Sequence, residues 1–154
     1  MATLDTMTAD FLAQKRIAVA GVTRNKEDAA NGIYRKLRDN DYEVFPINPN
    51  ADTFEDAPCY ANVQSIPDGV DGVVIVTRPA LAETIVHDCH EAGVPRVWMH
   101  RSFVGSSVSD EAVQFCRDND IEVIAGGCPM MFCKPDFAHK CMKWMTRVTG
   151  GLPK

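Results

Sequence analysis

Residues 16–32 read RIAVAGVTRNKEDAANG, an apolar run that ends at a glycine and leads through a polar turn into a helical pattern. The run from Ile17 to Ala20 contains no polar residue, which is typical of a strand covered on both faces of a parallel sheet. Gly21 follows at the point where such a strand ends. In α/β proteins, phosphate-bearing ligands commonly bind where a strand passes through a glycine turn into a helix. The stretch therefore predicts an α/β fold with a ligand site after its first strand.

The rest of the chain repeats this alternation of apolar runs and amphipathic segments. Strands that alternate with helices imply a parallel sheet covered by helices on both faces. We predict a single Rossmann-like, doubly wound α/β domain over residues 1–154. Its five parallel strands have the order 3-2-1-4-5, numbered along the chain, and an extra helix follows at the C-terminus. The predicted core is about residues 11–129, and a helical tail covers 130–154. The predicted strands are residues 16–22, 42–48, 71–77, 96–100 and 121–126. The predicted helices are residues 8–14, 31–40 and 79–93, one after Ser109 and one from about Pro135.

The tail carries large apolar side chains whose role has two interpretations. Trp144, Met145 and Val148 recur at helical spacing, and residues 130–132 are Met, Met and Phe. Packing of this stripe on the core is the preferred interpretation. The alternative is an exposed surface that binds a protein partner. If the chain has a protein partner, the tail is therefore its predicted binding surface.

The overall composition excludes several classes of protein. The chain has 154 residues and a net charge of −5, which argues against a general nucleic-acid or membrane-surface binder. No apolar run approaches the roughly 20 residues that span a bilayer. The N-terminus lacks the basic and apolar segments of a secretory signal, so we expect a cytoplasmic protein. In that compartment the six cysteines are expected to be reduced.

The first loop matches neither common phosphate-binding fingerprint. Gly21 stands alone, and the next glycine is Gly32, so there is no GxGxxG pattern, and no GxxxxGK pattern occurs either. Gly21 still allows a ligand to approach the backbone closely. The side chains of the loop add hydrogen-bonding groups at Thr23 and Asn25 and positive charge at Arg24 and Lys26.

The ends of the second and third strands favour coenzyme A over a nicotinamide nucleotide. The second strand ends PINPN (residues 46–50), and no carboxylate precedes Asp52 to accept hydrogen bonds from ribose hydroxyls. A ribose that carries a phosphate, such as that of coenzyme A, would be spared a repelling charge. The third strand ends at Arg78-Pro79. Proline keeps Arg78 extended, and its guanidinium can clamp a pyrophosphate.

These stretches resemble the small, free-standing CoA-binding domain proteins, which are related to the nucleotide-binding domain of the succinate–CoA ligase α-subunit. The resemblance spans about residues 11–129. Its most specific parts are DYEVFPINPN (41–50) and VDGVVIVTRPALAETIV (70–86), supported by VWMH (97–100) and GGCPMM (126–131).

The resemblance implies that coenzyme A or an acyl-CoA lies across the strand ends. The ligase relatives phosphorylate a histidine of a second domain, and no such role transfers to a histidine of this chain. The implied contacts are Gly21, Val22, Thr23 and Asn25 at the diphosphate, with charge from Arg24 or Lys26; Asn48 and Pro49 beside the adenosine; Thr77, Arg78 and Pro79 along the diphosphate and pantetheine arm; and His100 further along that arm.

The cysteine-rich stretch near the C-terminus has two further interpretations. Cys128, Cys133, His139 and Cys141 lie within fourteen residues, but the spacing lacks the Cys-x2-Cys knuckle of most structural zinc sites. No metal is therefore predicted. Cys128 alone, if exposed near the pantetheine thiol, could form a mixed disulfide; an inert thiol is the preferred interpretation.

No pair of nucleophile and base stands out, so the sequence favours a non-catalytic protein that binds coenzyme A or an acyl-CoA. Two alternatives stay open. One is a reductase that uses NAD or NADP, and the other is an interaction module with a vestigial nucleotide site.

Overall fold

A computed structural model describes residues 3–102, 105–133 and 137–150. One five-stranded sheet forms its centre, with helices on both faces, as predicted. Two short antiparallel pairs also form, one joining Thr53–Phe54 to Ala57–Pro58 and the other joining Arg101–Ser102 to Gly105–Ser106. The strands of the sheet are β1 (Arg16–Ala20), β2 (Glu43–Ile47), β3 (Gly72–Ile75), β4 (Arg96–Met99) and β5 (Glu122–Ala125), and the helices are α1 (Leu4–Leu12), α2 (Ala29–Arg38), α3 (Pro79–Glu91), α4 (Asp110–Asp118) and α5 (Phe137–Thr149).

The strand order is β2-β1-β3-β4-β5, and every neighbouring pair is parallel. The predicted order 3-2-1-4-5 is therefore wrong, because β3 pairs with β1 and β2 lies at the edge. Pro46 gives the physical reason, since it has no N–H to donate and proline within a sheet is confined to edge strands. On the outer side of β2, the carbonyl of Pro46 accepts a hydrogen bond from the Tyr60 amide at 2.9 Å, and the Asn48 amide donates to the Tyr60 carbonyl.

The two faces of the sheet bury separate cores. In β1, Ile17 and Val19 point to the face covered by α1 and α2, whereas Ala18 and Ala20 point to the face covered by α3 and α4. All four side chains are almost completely buried. The uninterrupted apolar run in the sequence follows from this burial on both sides.

Helices α1 and α2 begin earlier than predicted, at Leu4 and Ala29 instead of residues 8 and 31, whereas two other predicted starts agree with the structure. Pro79 is the first residue of α3, and the Ser109 hydroxyl caps α4 by accepting a hydrogen bond from the Ala112 amide at 3.3 Å; both predictions are confirmed. The predicted start of the last helix at Pro135 lies outside the described residues. Among the described residues, no helix has the length and apolar character needed to span a membrane.

The apolar stripe of helix α5 is exposed to solvent. Trp144 and Val148 are each 67% exposed and Met145 is 47% exposed. Other residues of the helix contact the protein instead, since Arg147 pairs with Asp5 of α1 at 2.6 Å and the Lys143 ammonium lies over the Phe132 ring. Packing of this stripe on the core, the preferred interpretation of the sequence, is therefore wrong for these three residues.

Candidate functional site

The carboxyl ends of β1, β2 and β3 meet at one edge of the sheet, where the chain turns to opposite faces. After β1 it leads to α2 on one face, and after β3 it leads to α3 on the other. Backbone hydrogen bonds hold the three ends together, from the Gly21 amide to the Ile47 carbonyl at 3.2 Å and from the Val76 amide to the Ala20 carbonyl at 2.9 Å. Ligands of open α/β sheets bind at such a switch point.

A central cavity of about 500 Å³ opens between these loops and α3. Six of the twelve predicted contacts line it, five on the loops after β1 and β2 and one, Thr77, after β3. The side of α3 that faces it adds Leu81 and Ile85, together with the polar residues Thr84 and Asp88. The predicted residues on its wall are Gly21, Val22, Thr23, Asn48, Pro49 and Thr77.

A second cavity of about 700 Å³ adjoins the central one on the α2 side, and we call it the cationic cavity. The two share Val22, Thr23 and Asn48. The predicted cations Arg24 and Lys26 both line the cationic cavity. Both side chains are exposed, and neither makes an ion pair with another residue that the structure describes.

Two carboxylates also line the cationic cavity, and the sequence analysis did not predict them there. Asp52 and Glu55 line it because the chain after β2 folds back through the short antiparallel pair at 53–58. Glu55 is engaged by Arg35, whose Nε lies 2.6 Å from its Oε1, and by Arg38 at 3.1 Å. The hydrogen bond from Arg35 lowers the pKa of Glu55. The charge of Glu55 is therefore matched within the protein. Asp52, Arg24 and Lys26 make no ion pair with any described residue, so the two cations exceed the one unmatched carboxylate in this cavity.

A third cavity of about 300 Å³ adjoins the central one at Val76 and Thr77, and we call it the His100 cavity. Arg78, Pro79 and His100, all predicted contacts, line it. Arg78 is exposed and has no ion-pair partner within the described part of the chain. His100 is only 4% exposed, and its burial lowers its pKa to about 4, so the ring is neutral near pH 7.

Gly21 has a structural reason for being glycine that is independent of a ligand. Its φ is +108°, and a Cβ at this position would lie 2.0 Å from the carbonyl oxygen of Val76. The loop after β1 therefore passes directly against the end of β3, which leaves no room for a side chain.

Many of the polar groups of the first loop are hydrogen-bonded within the loop or to the first turn of α2. Asn31, which is 1% exposed, accepts a hydrogen bond from the Thr23 amide at 2.9 Å and donates to the carbonyls of Thr23 and Asn25 at 2.8 Å each. The Thr23 hydroxyl and the Asn25 side-chain amide both donate to the carboxylate of Asp28. Thr23 and Asn25 thus hold the shape of the loop, and Asn25 does not line any of the three cavities.

Asn48 likewise joins two loops. Its Nδ2 donates to the Val22 carbonyl at 2.8 Å, and its Oδ1 accepts from the Asn50 amide at 2.8 Å. These bonds fix the loop after β2 against the loop after β1, between the central and the cationic cavities. Sequence reasoning missed Asn31 as the residue that organises this edge, although a polar residue on the buried stripe of α2 was a signal for it.

The cysteine-rich stretch does not support a reactive thiol. Cys128 is 5% exposed, and burial raises its pKa to about 11, so the hypothesis of an exposed Cys128 near a ligand thiol is wrong. Cys133 is also buried, whereas Cys141 is exposed on α5. Within the residues that were described, no three or more His, Cys, Asp or Glu side chains are placed to hold a metal ion. The side chain of His139 lies outside the described part.

Comparison with known proteins gives relatives of two sizes. The chain is 29% identical over 87 residues to the acetate–CoA ligase [ADP-forming] II of Archaeoglobus fulgidus, a match that covers 55% of this chain and only 13% of the ligase. A conserved hypothetical protein from Pyrococcus furiosus is 29% identical, with a TM-score of 0.65 over 73% of this chain and 93% of that one. A hypothetical protein from Pyrococcus horikoshii OT3 shares the fold with a TM-score of 0.79 and 24% identity over 92% and 94% of the chains.

A family model described as CoA binding domain matches residues 15–134. This match covers the whole sheet and every residue proposed for the crevice. It confirms the family to which the sequence was assigned by resemblance. The chain belongs to the CoA-binding domain family.

Proposed function

We propose that the chain binds coenzyme A or an acyl-CoA in the crevice at the ends of β1, β2 and β3, without itself catalysing a reaction. The observation that supports this most is the set of three adjoining cavities at the switch point. The central one is mainly apolar, and the two outer ones carry arginine or lysine side chains that have no partner among the described residues.

The central cavity suits an adenine ring. Val63, Leu81 and Ile85 provide apolar walls, and Asn62 and Thr84 add polar groups to the lining. Pockets for small ligands commonly combine an apolar lining with a few polar groups that fix orientation. Asn48 and Pro49 would then border the ribose, as the family resemblance implied.

The outer cavities suit the phosphate groups. The resemblance implied that Arg24 or Lys26 adds charge at the diphosphate. Because both line the cationic cavity, on the other side of the central cavity from Arg78, we assign them instead to the 3'-phosphate, the group that distinguishes coenzyme A from most other nucleotides. Arg78 on the other side would clamp the diphosphate, with the pantetheine arm continuing past Pro79. Free cations matter here because the net charge of the protein is −5, so attraction of an anion has to be local.

Thermal unfolding with coenzyme A, dephospho-CoA and NAD tests this proposal. A ligand that binds the folded state raises the melting temperature by mass action. We expect a larger rise with coenzyme A than with dephospho-CoA, which lacks the 3'-phosphate. The double variant Arg24→Ala, Lys26→Ala should remove this difference, whereas Arg117→Ala, Lys140→Ala should keep it, because these two exposed residues lie away from the crevice.

Each other result points to an alternative. A rise with NAD alone would replace the proposal by the nicotinamide-dependent reductase. No rise with any nucleotide would favour an interaction module with a vestigial site.

A further inference from the structure

Arg35 lines the cationic cavity together with Arg24 and Lys26, but it differs from them because a carboxylate already engages it. Its Nε lies 2.6 Å from Oε1 of Glu55, and its Nη2 contacts the same oxygen. Its Nη1 donates to the Lys26 carbonyl at 3.1 Å, so the guanidinium is fixed against the loop after β1. Arg35 is therefore positioned beside the two cations that we assign to a phosphate.

Glu55 is also held by a second arginine, which does not line the cavity. Nη1 of Arg38 lies 3.1 Å from Oε2 of Glu55, whereas Arg35 contacts Oε1. Arg38 is exposed and stands outside the wall of the cationic cavity. If another anion took the place of Glu55 on Arg35, the carboxylate would keep its contact with Arg38. The exchange would thus leave neither charge without a partner.

The backbone of Glu55 is unusual for this residue type. Glu55 and Asp56 form the two-residue turn of the 53–58 hairpin, with φ angles of +46° and +66°. Such turns favour asparagine, aspartate and glycine, because most other side chains disfavour a positive φ. Glu55 therefore occupies the turn at a cost in backbone energy, which its contacts with the two arginines offset.

The positive charge of the cationic cavity is too small for a phosphate monoester unless Arg35 takes part. A phosphate monoester carries about 1.5 to 2 negative charges near pH 7. Arg24 and Lys26 are opposed by the carboxylate of Asp52, which has no ion pair among the described residues, so one positive charge is left over. Arg35 would supply a second one if Glu55 released it. A guanidinium binds phosphate and carboxylate through the same N–H groups, so one anion can replace the other.

We propose that Arg35 is a further phosphate ligand of this site and that Glu55 occupies it in the absence of coenzyme A. The 3'-phosphate displaces the Glu55 carboxylate from Arg35, and Glu55 then pairs with Arg38 alone. This inference rests on the proposed function and deepens it, because recognition of the 3'-phosphate becomes an exchange between two anions. Glu55 thereby lowers the affinity for coenzyme A and leaves the affinity for dephospho-CoA nearly unchanged.

Titration calorimetry of Glu55→Gln with coenzyme A and dephospho-CoA tests the inference. The substitution removes the competing charge and keeps the length of the side chain. We expect coenzyme A to bind about fivefold tighter than it binds the parent, as release of one partly exposed ion pair predicts, and dephospho-CoA to bind nearly as before. Asp56→Asn is the matched control, because Asp56 is the exposed neighbour in the same turn and does not line the cavity. It should leave both affinities as in the parent.

The double variant Arg35→Ala, Glu55→Gln separates an exchange on Arg35 from a general change of charge. Without Arg35, the gain from Glu55→Gln should largely disappear. Arg35→Ala alone should weaken the binding of coenzyme A more than that of dephospho-CoA. A gain from Glu55→Gln that persists without Arg35, or one that is equal for both ligands, would overturn the inference.

A measurement on the unmodified sequence applies where these variants do not fold. Coenzyme A should shift the Nε–H resonance of Arg35 in NMR spectra, and dephospho-CoA should shift it much less. Equal shifts with both ligands, or no shift when coenzyme A binds, would overturn this inference alone and leave the proposed function in place. Failure of both ligands to bind would overturn the proposed function together with it.

Discussion

The loops after β1 and β3 face the same crevice but use their polar groups in different ways. In the loop after β1, Thr23 and Asn25 make hydrogen bonds to Asp28 and to Asn31 in the first turn of α2. After β3, Arg78 makes no ion pair with any described residue. Thr23 and Asn25 of the first loop therefore contribute shape, whereas Arg78 of the second loop, like Arg24 and Lys26 of the first, is available to a ligand. The hydrogen bonds that a polar residue already makes within the protein reduce what it can offer to a ligand.

The largest effect is expected from Gly21→Ala, which tests the shape of the first loop. The new Cβ would lie 2.0 Å from the Val76 carbonyl oxygen, at a φ of +108° that disfavours any side chain. We expect the free energy of unfolding to fall by about 4 kcal/mol from overpacking and backbone strain. Urea denaturation followed by circular dichroism measures this.

Gly105→Ala is the matched control for this change. A Cβ at Gly105 would have no atom within 4 Å, so its effect should stay within about 0.5 kcal/mol. Equal stability losses in both variants would show that the contact between the loop after β1 and the end of β3 is not what requires glycine.

A smaller effect, on the pH dependence of stability, is expected at His100 beside the loop after β3. The folded-state pKa of about 4 lies below the ordinary value of 6.5, so the unfolded chain takes up the proton first as the pH falls. His100 therefore costs no stability above pH 6.5 and lowers it progressively toward pH 4, by about 3 kcal/mol in total.

Comparison with His100→Gln isolates this contribution from the carboxylates that titrate in the same range. The variant should lose less stability than the parent between pH 6.5 and 4 in urea denaturation. Arg78, the charged side chain among the described residues of this cavity, is present in both proteins. Identical pH profiles would mean that His100 is solvated in the folded state.

The smallest effect, on ligand affinity, compares the two loops directly. Arg78→Ala should weaken the binding of coenzyme A about tenfold, because the substitution removes one charged hydrogen bond at an exposed site. Asn25→Ala should change the affinity less than about twofold, while lowering stability by about 1 kcal/mol through the lost bond to Asp28. Calorimetric titration of both variants measures the affinities. A greater loss of affinity in Asn25→Ala than in Arg78→Ala would reverse the assignment of the two loops.

The fold could be predicted from the sequence as far as local patterns determine it. The apolar runs of β1 and β3 predict strands buried on both faces, and Pro79 and Ser109 predict helix starts, because these signals act within a few residues. The order of the strands depends on which strands pair with one another, and the alternation of strands and helices along the chain does not determine that pairing. Pro46 did indicate that β2 is an edge strand, because proline within a sheet is confined to edge strands.

The tail shows a second limit of sequence patterns. A stripe such as Trp144, Met145 and Val148 indicates that one side of a helix is apolar, but it does not indicate what covers that side. Here other residues of α5, such as Arg147, contact the protein instead. A protein partner for the exposed stripe stays a prediction.

For the site, the sequence predicted the loops better than the roles of their side chains. Gly21, Asn48 and Thr77 all reach the central cavity, because parallel strands end at one edge. The bonds of Asn31 are local, since they reach Thr23 and Asn25 in the same segment, but they depend on the conformation of the turn, which residue spacing does not specify. The approach of Glu55 to Arg35 joins separate segments of the chain, so spacing within one segment does not reveal it.

The outer edge of β2 also limits how copies of this chain can associate. Exposed strand edges invite strand addition from other molecules, which leads to continuous sheets and aggregation. At the end of β2, Tyr60 already occupies the backbone groups of Pro46 and Asn48, and proline offers no N–H to an incoming strand. Intermolecular β-pairing at this end of β2 is thereby blocked, on the side of the sheet that also borders the crevice.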